Sequence, residues 1–188
     1  MISYQYSKRI LKKGIIKIKS ESILSINSLN RVASTNIYSK FNYPSDDNAA
    51  FDGYAINSND TKNINKNKSK VFKIIGSIAA GKKPFKKRIK KFEAVEIMTG
   101  GIIPKGLDTI IPIEQINFYP NNKTRKFILI DKKIGKYNHV RFVGSDYKKN
   151  ELVIKKNTII LPNHILALKT LGIKNVNVKK KINILFFS

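Results

Sequence analysis

The sequence predicts an α+β, β-rich fold, in which short β-strands predominate and a few short helices flank them. From residue 70 onward, short β-branched or aromatic segments alternate with clusters of Gly, Pro, Asn or Lys. That alternation is typical of an antiparallel β-rich domain. Helix-like spacing of apolar residues is confined to residues 4–13, 22–33 and 162–172.

The elements follow from local patterns. The helix at 162–172 has Pro162 at its start and Gly172 placed for a C-terminal cap. Residues 40–50 form a polar connection, and residues 58–69 are so polar that they predict a mobile surface loop. The predicted strands contain the sequences VFKII, AVEIM, TIIPIEQI, KFILID, HVRFV, ELVI, TIIL and NVNVK.

The last segment, INILFFS (182–188), is an almost uninterrupted apolar run. This pattern favours a strand buried on both faces, as in a parallel sheet covered by helices. One interpretation pairs it with the edge of the preceding β domain. We favour the other, in which it is the first strand of a further α/β domain that the sequence does not contain, because an unpartnered apolar strand promotes aggregation.

Composition narrows the functional classes. The 188 residues include no cysteine, which excludes disulfides and thiolate metal sites. The net charge of +25 raises nucleic acid as a partner, but the basic residues are mostly dispersed lysines without a base-reading motif, so this alternative ranks low. No apolar run approaches the ~20 residues of a membrane span. The expectation is a cytoplasmic protein.

The first chemical motif is DDNAAFDGYA (46–55), the aspartate motif, which holds Asp46, Asp47 and Asp52. Its common explanation is a turn with solvated acids, since Asp52-Gly53 is a turn signal. The functional alternative is a carboxylate site for a divalent cation, because Mg²⁺ takes oxygen ligands.

The second motif is EIMTGGIIPKGLDTIIPIEQ (96–115), whose residues 99–101 we call the Thr-Gly loop. Adjacent Gly100 and Gly101 allow backbone amides to approach an anion, and the Thr99 hydroxyl adds a donor. A β-bulge or a wide turn explains the glycine pair equally well.

The third motif is VRFVGSDYKKNE (140–151), whose residues 140–146 we call the Arg-Asp turn. It places Arg141 and Asp146 around Gly144, and a salt-bridged turn explains it in isolation. Neither His139 nor His164 has ligands or a nucleophile nearby in sequence, so neither predicts a site.

Taken in order, these motifs resemble the N-terminal and linker region of molybdopterin molybdenumtransferases, the bacterial MoeA proteins and the E-domain of gephyrin. The family pattern P-x-F-D-N-S-A-M-D-G-Y-A corresponds to 44–55, I-M-T-G-A-P-x-P-x-G-A-D-x-V-V-P-x-E to 97–114, and V-R-x-x-G-E-D to 140–146. The segments at 28–37, 76–81 and 161–173 also resemble family segments.

The chain departs from the family pattern at several positions. Asp46 stands for the usual Phe, Ala49 for Ser, Phe51 for Met, and Ser145 for Glu. Gly101 and Ile102 stand for Ala-Pro, and Asn150 and Asn157 stand for turn glycines. Asp52, Thr99 and Asp146 are retained.

The resemblance implies an elongated, discontinuous linker domain of residues 1–43 and 138–181. It also implies an inserted β-rich domain of residues 44–137, and a first strand at 182–188 of an absent pterin-binding α/β domain.

The implied activity is insertion of molybdate into adenylylated molybdopterin with release of AMP and use of Mg²⁺. By the resemblance, Asp52, Thr99 and Asp146 are catalytic, and Asp52 and Asp146 hold the metal. Gly100, Gly101 and Arg141 contact the molybdopterin substrate or molybdate.

The resemblance further implies a homodimer and a molybdopterin-adenylylating partner protein. It implies that residues 1–188 alone are inactive. An alternative is a non-catalytic dimerisation or assembly module, or a split subunit of the same enzyme.

Overall fold

The computed structural model describes residues 2–14, 17–82, 85–121, 123, 125–183 and 185. By its internal contacts the chain divides into two compact units, residues 1–40 with 150–188, and residues 41–149. Residues 138–149, which the resemblance groups with the linker domain, lie in the second unit.

The regular elements are short, as the sequence predicts. Two α-helices are present among the described residues, α1 (Tyr4–Lys13) and α2 (Pro162–Thr170). The strands are β1 (Ser20–Leu24), β2 (Ile37–Tyr38), β3 (Asn48–Ala49), β4 (Gly53–Ile56), β5 (Lys70–Ile78), β6 (Glu93–Ile97), β7 (Thr109–Pro112), β8 (Asn117–Tyr119), β9 (Phe127–Ile130), β10 (Val140–Arg141), β11 (Leu152–Ile154) and β12 (Asn175–Lys179).

The structure confirms the predicted helices at 4–13 and 162–172 as α1 and α2. Each of them has a local cap. The Ser3 hydroxyl accepts a hydrogen bond from the Tyr6 amide at the start of α1, and Gly14 closes its end. In α2, His164 Nδ1 accepts the Leu161 amide at 3.0 Å. Gly172 follows α2 with φ +62°, as expected for a C-terminal cap.

The predicted helix at 22–33 is wrong. Residues 20–24 form β1, which pairs antiparallel with β12, and Ser25–Asn27 form a 3₁₀ turn. The buried Ser28 hydroxyl donates to the Ser25 carbonyl at 2.6 Å, a local bond that competes with helix propagation. The apolar Leu24, Ile26 and Leu29, whose spacing suggested a helix, remain exposed.

The first unit is completed by small pairings around α2. β2 pairs antiparallel with β11, and the buried side chains Leu168, Leu171, Val176 and Val178 form much of its core. The predicted strand TIIL is reduced to one bridge between Ile159 and Val32.

The second unit contains a six-stranded sheet in the order β7-β4-β6-β5-β9-β8. The predicted antiparallel arrangement is wrong for one pair, because β5 and β6 run parallel. Residues 79–92 connect them, and a parallel pair requires a crossover connection of this length. The sheet is therefore mixed.

Strand β4 lies between two apolar cores of the second unit, and all four of its residues are buried. Tyr54 and Ile56 belong to one cluster, and Ala55 belongs to the other. Successive side chains of a strand point to opposite faces, so β4 links both cores.

Residues 58–69 are only partly the predicted surface loop. Thr61 is fully buried, and Ile64 belongs to a core cluster. The Thr61 hydroxyl donates to the Ser58 carbonyl at 2.8 Å and accepts the Ile134 amide at 2.9 Å. One local and one long-range hydrogen bond of Thr61 thus hold this polar segment against the core.

The predicted strand at 182–188 falls largely on residues 184 and 186–188, which lie outside the described residues. The described residues Ile182, Asn183 and Leu185 have no regular secondary structure.

Candidate functional site

The aspartate motif lies between the two other motifs, within the second unit. Its strand β3 pairs antiparallel with β10 of the Arg-Asp turn, with Arg141 opposite Asn48. On the Thr-Gly loop, the Gly101 carbonyl accepts the Ala49 amide at 2.9 Å, and the Gly100 amide donates to the Ala49 carbonyl at 2.8 Å. Three segments that are distant in sequence therefore converge on two residues.

The Thr-Gly loop needs its glycines. Gly100 has φ +78°, which is the left-handed region that favours glycine. A Cβ at Gly101 would lie 2.9 Å from the Met98 carbonyl oxygen. The Gly101 amide donates to that same oxygen at 2.8 Å. The loop is thus a tight turn, and the amides of both glycines are engaged inside the protein.

Asp52 and Thr99 form the best-defined polar pair of the site. Asp52 Oδ1 accepts the Thr99 amide at 2.6 Å and the Thr99 hydroxyl at 2.7 Å. These two bonds lower the pKa of Asp52 from its ordinary value of 3.8. The bond from the Thr99 hydroxyl is the larger cause, and the bond from the Thr99 amide is the second. Both side chains are exposed, so the carboxylate is charged, oriented and accessible.

Arg141 and Asp146 form an ion pair through Arg141 Nη2 and Asp146 Oδ2. The Ser145 hydroxyl donates to Asp146 Oδ1 at 3.2 Å. Gly144 turns the chain with φ +69°, and its amide donates to the Pro44 carbonyl at 2.9 Å. The Arg-Asp turn is therefore salt-bridged, as its simplest explanation required, and is also bonded to the residues that precede the aspartate motif.

From the sequence, Asp47 was only one of three aspartates of a possible cation site, yet in the structure this residue joins all three motifs. Asp47 Oδ1 accepts the Val143 amide at 2.8 Å, and its carbonyl accepts the Ile103 amide at 3.0 Å. Its one sequence signal was membership of the acidic cluster in the aspartate motif. A carboxylate that accepts a remote backbone amide leaves no spacing pattern to detect.

His139 lies beside the aspartate motif. Its carbonyl accepts the Ala50 amide at 3.0 Å, and its ring packs edge-on against Phe51 with centroids 5.0 Å apart. These contacts place His139 in the packing of this region.

The oxygen atoms present are suited to Mg²⁺ in part. Asp52 fits best, because it is exposed and both Thr99 bonds go to Oδ1. The buried Asn48 Oδ1 is an amide oxygen that has no hydrogen-bond partner among the described residues, and amide oxygens also bind such cations. Asp146 is less available, because Arg141 and Ser145 contact its two oxygens.

The predicted residues thus form two pairs rather than one cluster. Hydrogen bonds join Asp52 to Thr99, and an ion pair joins Arg141 to Asp146. Within the described part of the chain, no group of three or more His, Cys, Asp or Glu side chains is placed to hold a metal ion. Water and substrate oxygens would supply the remaining ligands, which is usual for Mg²⁺.

The mixed sheet and the convergent motifs define a family. A sequence model described as the MoeA N-terminal region (domain I and II) matches residues 2–172. The chain belongs to this family.

Curated relatives agree with that assignment. The molybdopterin molybdenumtransferase of Haemophilus influenzae is 32% identical over 155 residues, which cover 82% of this chain and 36% of that protein. The enzyme of the same name from Bacillus subtilis is 28% identical over 163 residues, covering 87% and 37%. The chain thus spans little more than a third of the length of these relatives.

A solved structure has the same fold. The molybdopterin biosynthesis moeA protein from Pyrococcus horikoshii OT3 superposes with a TM-score of 0.82 and 30% sequence identity, covering 95% of this chain and 46% of that one. The β-rich fold with short helices is therefore confirmed. Among the described residues, no helix is long and apolar enough to span a membrane.

Proposed function

We propose that this chain acts in molybdenum cofactor biosynthesis as the N-terminal part of a molybdopterin molybdenumtransferase. The reaction is insertion of molybdate into adenylylated molybdopterin with release of AMP. The observation that carries this proposal is the convergence of the aspartate motif, the Thr-Gly loop and the Arg-Asp turn on strand β3. The relatives named for this activity match the chain across that region.

In this proposal Thr99 prepares Asp52. Its two hydrogen bonds fix one carboxylate oxygen and lower the pKa of Asp52, a group that is ionised at neutral pH in any case. The charged, exposed carboxylate would hold Mg²⁺ and orient the waters around it. When bound, the ion would offset the charge of the two anionic substrates.

Asp146 and Arg141 have coupled roles. Their ion pair fixes a guanidinium group opposite Asn48 in the β3–β10 pair. Arg141 would contact a substrate anion, since guanidinium groups bind phosphate and oxyanions well. Asp146 thus positions Arg141. Asp146 would bind the metal only if its ion pair with Arg141 opened.

The glycines of the Thr-Gly loop shape the site. Their amides donate to Ala49 and Met98, so the proposal assigns Gly100 and Gly101 to loop geometry and leaves anion contact to the Thr99 hydroxyl and Arg141. We further propose that the chain forms a homodimer and interacts with a molybdopterin-adenylylating partner protein.

A chimera tests the proposal. Residues 2–172 of this chain would replace the matching region of the Haemophilus influenzae molybdenumtransferase, and AMP release would be followed with adenylylated molybdopterin, molybdate and Mg²⁺. We expect release by the chimera and none by the enzyme from which that region is deleted. A folded chimera without AMP release would contradict the proposal.

A further inference from the structure

A cavity of about 530 Å³ lies in the second unit, outside the Asp52–Thr99 pair. Residues 85–89 line one part of it, residues 102–105 another, and Asp46 also contributes. The first of these segments belongs to the lysine-rich sequence KKPFKKRIKK (82–91), which the proposed function does not use.

Residues 85–89 are anchored to the sheet by their apolar side chains. Phe85, Ile89 and Ile103 pack against the second core cluster. Gly76 makes room for the Phe85 ring, because a Cβ there would lie 2.8 Å from Phe85 Cε2. The backbone between Phe85 and Ile89 is therefore held in place while its three cations, Lys86, Lys87 and Arg88, face solvent.

The charge of the lining favours an anion. Lys86, Lys87, Arg88 and Lys105 line the cavity with one carboxylate, that of Asp46. The basic groups come from two separate segments, and an anion between them would interact with both. Arg88 adds a planar donor group suited to phosphate or carboxylate.

The rest of the lining is apolar. Ile89, Ile102, Ile103 and Pro104 offer a surface on which a flat organic group can pack. A volume in this range is typical of small-molecule sites, which combine apolar walls with a few polar groups. An extended acidic peptide would use the exposed cations but would leave the apolar part of the cavity unfilled.

Two residues of the lining depart from the family pattern. Asp46 and Ile102 stand where that pattern has Phe and Pro. A Phe ring at position 46 would be much larger than the Asp side chain and would reach into the space that Asp46 borders. The size of the cavity thus depends on the residue at position 46.

We propose that this cavity binds a small organic anion, in which a phosphate or carboxylate group is joined to a flat apolar body of about nucleotide size. The cations hold the charged group, and the isoleucines pack against the flat body. This proposal does not rest on the molybdenumtransferase activity.

Titration of the 188-residue chain with AMP tests it, with adenosine and inorganic phosphate as the separate halves of the probe. Binding is followed by calorimetry and by backbone amide shifts. We expect saturable binding of AMP, weaker binding of either half, and the largest shifts at residues 86–89, 103 and 105. Shifts centred on residues 99–101, or binding of an acidic peptide with no binding of AMP, would overturn the proposal.

Charge variants separate the cavity from the general positive field. The double substitution Lys87→Ala with Arg88→Ala is expected to weaken AMP binding about tenfold. The matched pair Lys132→Ala with Lys133→Ala removes the same charge from exposed residues outside the cavity and is expected to change binding less than twofold. Equal losses in the two pairs would show non-specific attraction and overturn the proposal.

Position 46 supplies two variants with opposite expected effects. Asp46→Asn removes the one opposing charge and is expected to tighten AMP binding about threefold. Asp46→Phe is expected to fill the cavity and remove saturable binding. If Asp46→Phe fails to fold by circular dichroism, the Asp46→Asn result decides, and unchanged or weaker binding there counts against the proposal.

Discussion

At the scale of single residues, Asp52 owes its properties to one neighbour. Thr99 donates both its amide and its hydroxyl to the same carboxylate oxygen. The folded state therefore has a lower pKa for Asp52 than the ordinary 3.8. The associated stability is present above that ordinary pKa and is lost as the pH falls through the folded value.

Thr99→Val tests this cause. Valine keeps the shape and the backbone amide but removes the hydroxyl, which is the larger cause of the shift. We expect the pKa of Asp52 to rise most of the way to 3.8, measured by NMR titration of the carboxyl carbon. Thr99→Ser, which keeps a hydroxyl, is the control and should retain a low pKa. An unchanged pKa in the valine variant would refute the assignment.

Sequence reasoning reached some residues and missed others for physical reasons. Asn150 and Asn157 were matched to turn glycines, and both have positive φ, 67° and 68°, which Asn tolerates better than most residues. The hydrogen bond between Asp47 and the Val143 amide was missed, because the two residues lie far apart in the chain. Local backbone demands are visible in sequence, whereas remote hydrogen bonds are not.

At the scale of elements, strand β4 has no space for a side chain at Gly53. Gly53 pairs with Pro112 of β7, and a Cβ at Gly53 would lie 2.0 Å from the Ile111 carbonyl oxygen. That contact is with backbone, so no side-chain rotation can relieve it.

Gly53→Ala is therefore expected to destabilise the second unit by about 3 kcal/mol or more, as steric overlap in a packed core does. Urea denaturation would measure the change. Gly14→Ala is the control, since its Cβ would have no contact shorter than 3.5 Å and φ there is −74°. A midpoint for Gly53→Ala equal to that of the control would show that the strands separate at little cost.

The elements also show which secondary structure the spacing of apolar residues can predict. Short strands rich in β-branched or aromatic residues, such as β5, β6 and β9, were predicted. The spacing at 22–33 suggested a helix, but buried Ser25 and Ser28 favoured a turn there. The parallel β5–β6 pair was missed, because strand direction depends on the crossover path rather than on the strand sequences.

At the scale of the whole molecule, the second unit has its own sheet and its own apolar clusters. Both apolar clusters and the six-stranded sheet lie within residues 41–149. Residues 44–137, the inserted domain implied by the resemblance, lack β10 and therefore leave β3 without that partner.

Thermal unfolding of these two fragments compares the boundaries. We expect 41–149 to unfold cooperatively and with a Tm about 5 °C or more above that of 44–137, because the longer fragment retains the β3–β10 pair and the Arg-Asp turn. An equal or higher Tm for 44–137 would favour the shorter domain.

The central claim concerns the whole site. Asp52 follows β3, on which the three motifs converge, and we propose that it takes part in the molybdenumtransferase reaction. The most direct test measures the rate of AMP release by the chimera with the Haemophilus influenzae enzyme. The rate of the Asp52→Asn variant is compared with that of the Asp131→Asn variant. Both changes remove one exposed carboxylate charge, but Asp131 lies outside the three motifs. We predict a loss of about 100-fold for Asp52→Asn and less than twofold for Asp131→Asn. Equal rates in the two variants would contradict the claim.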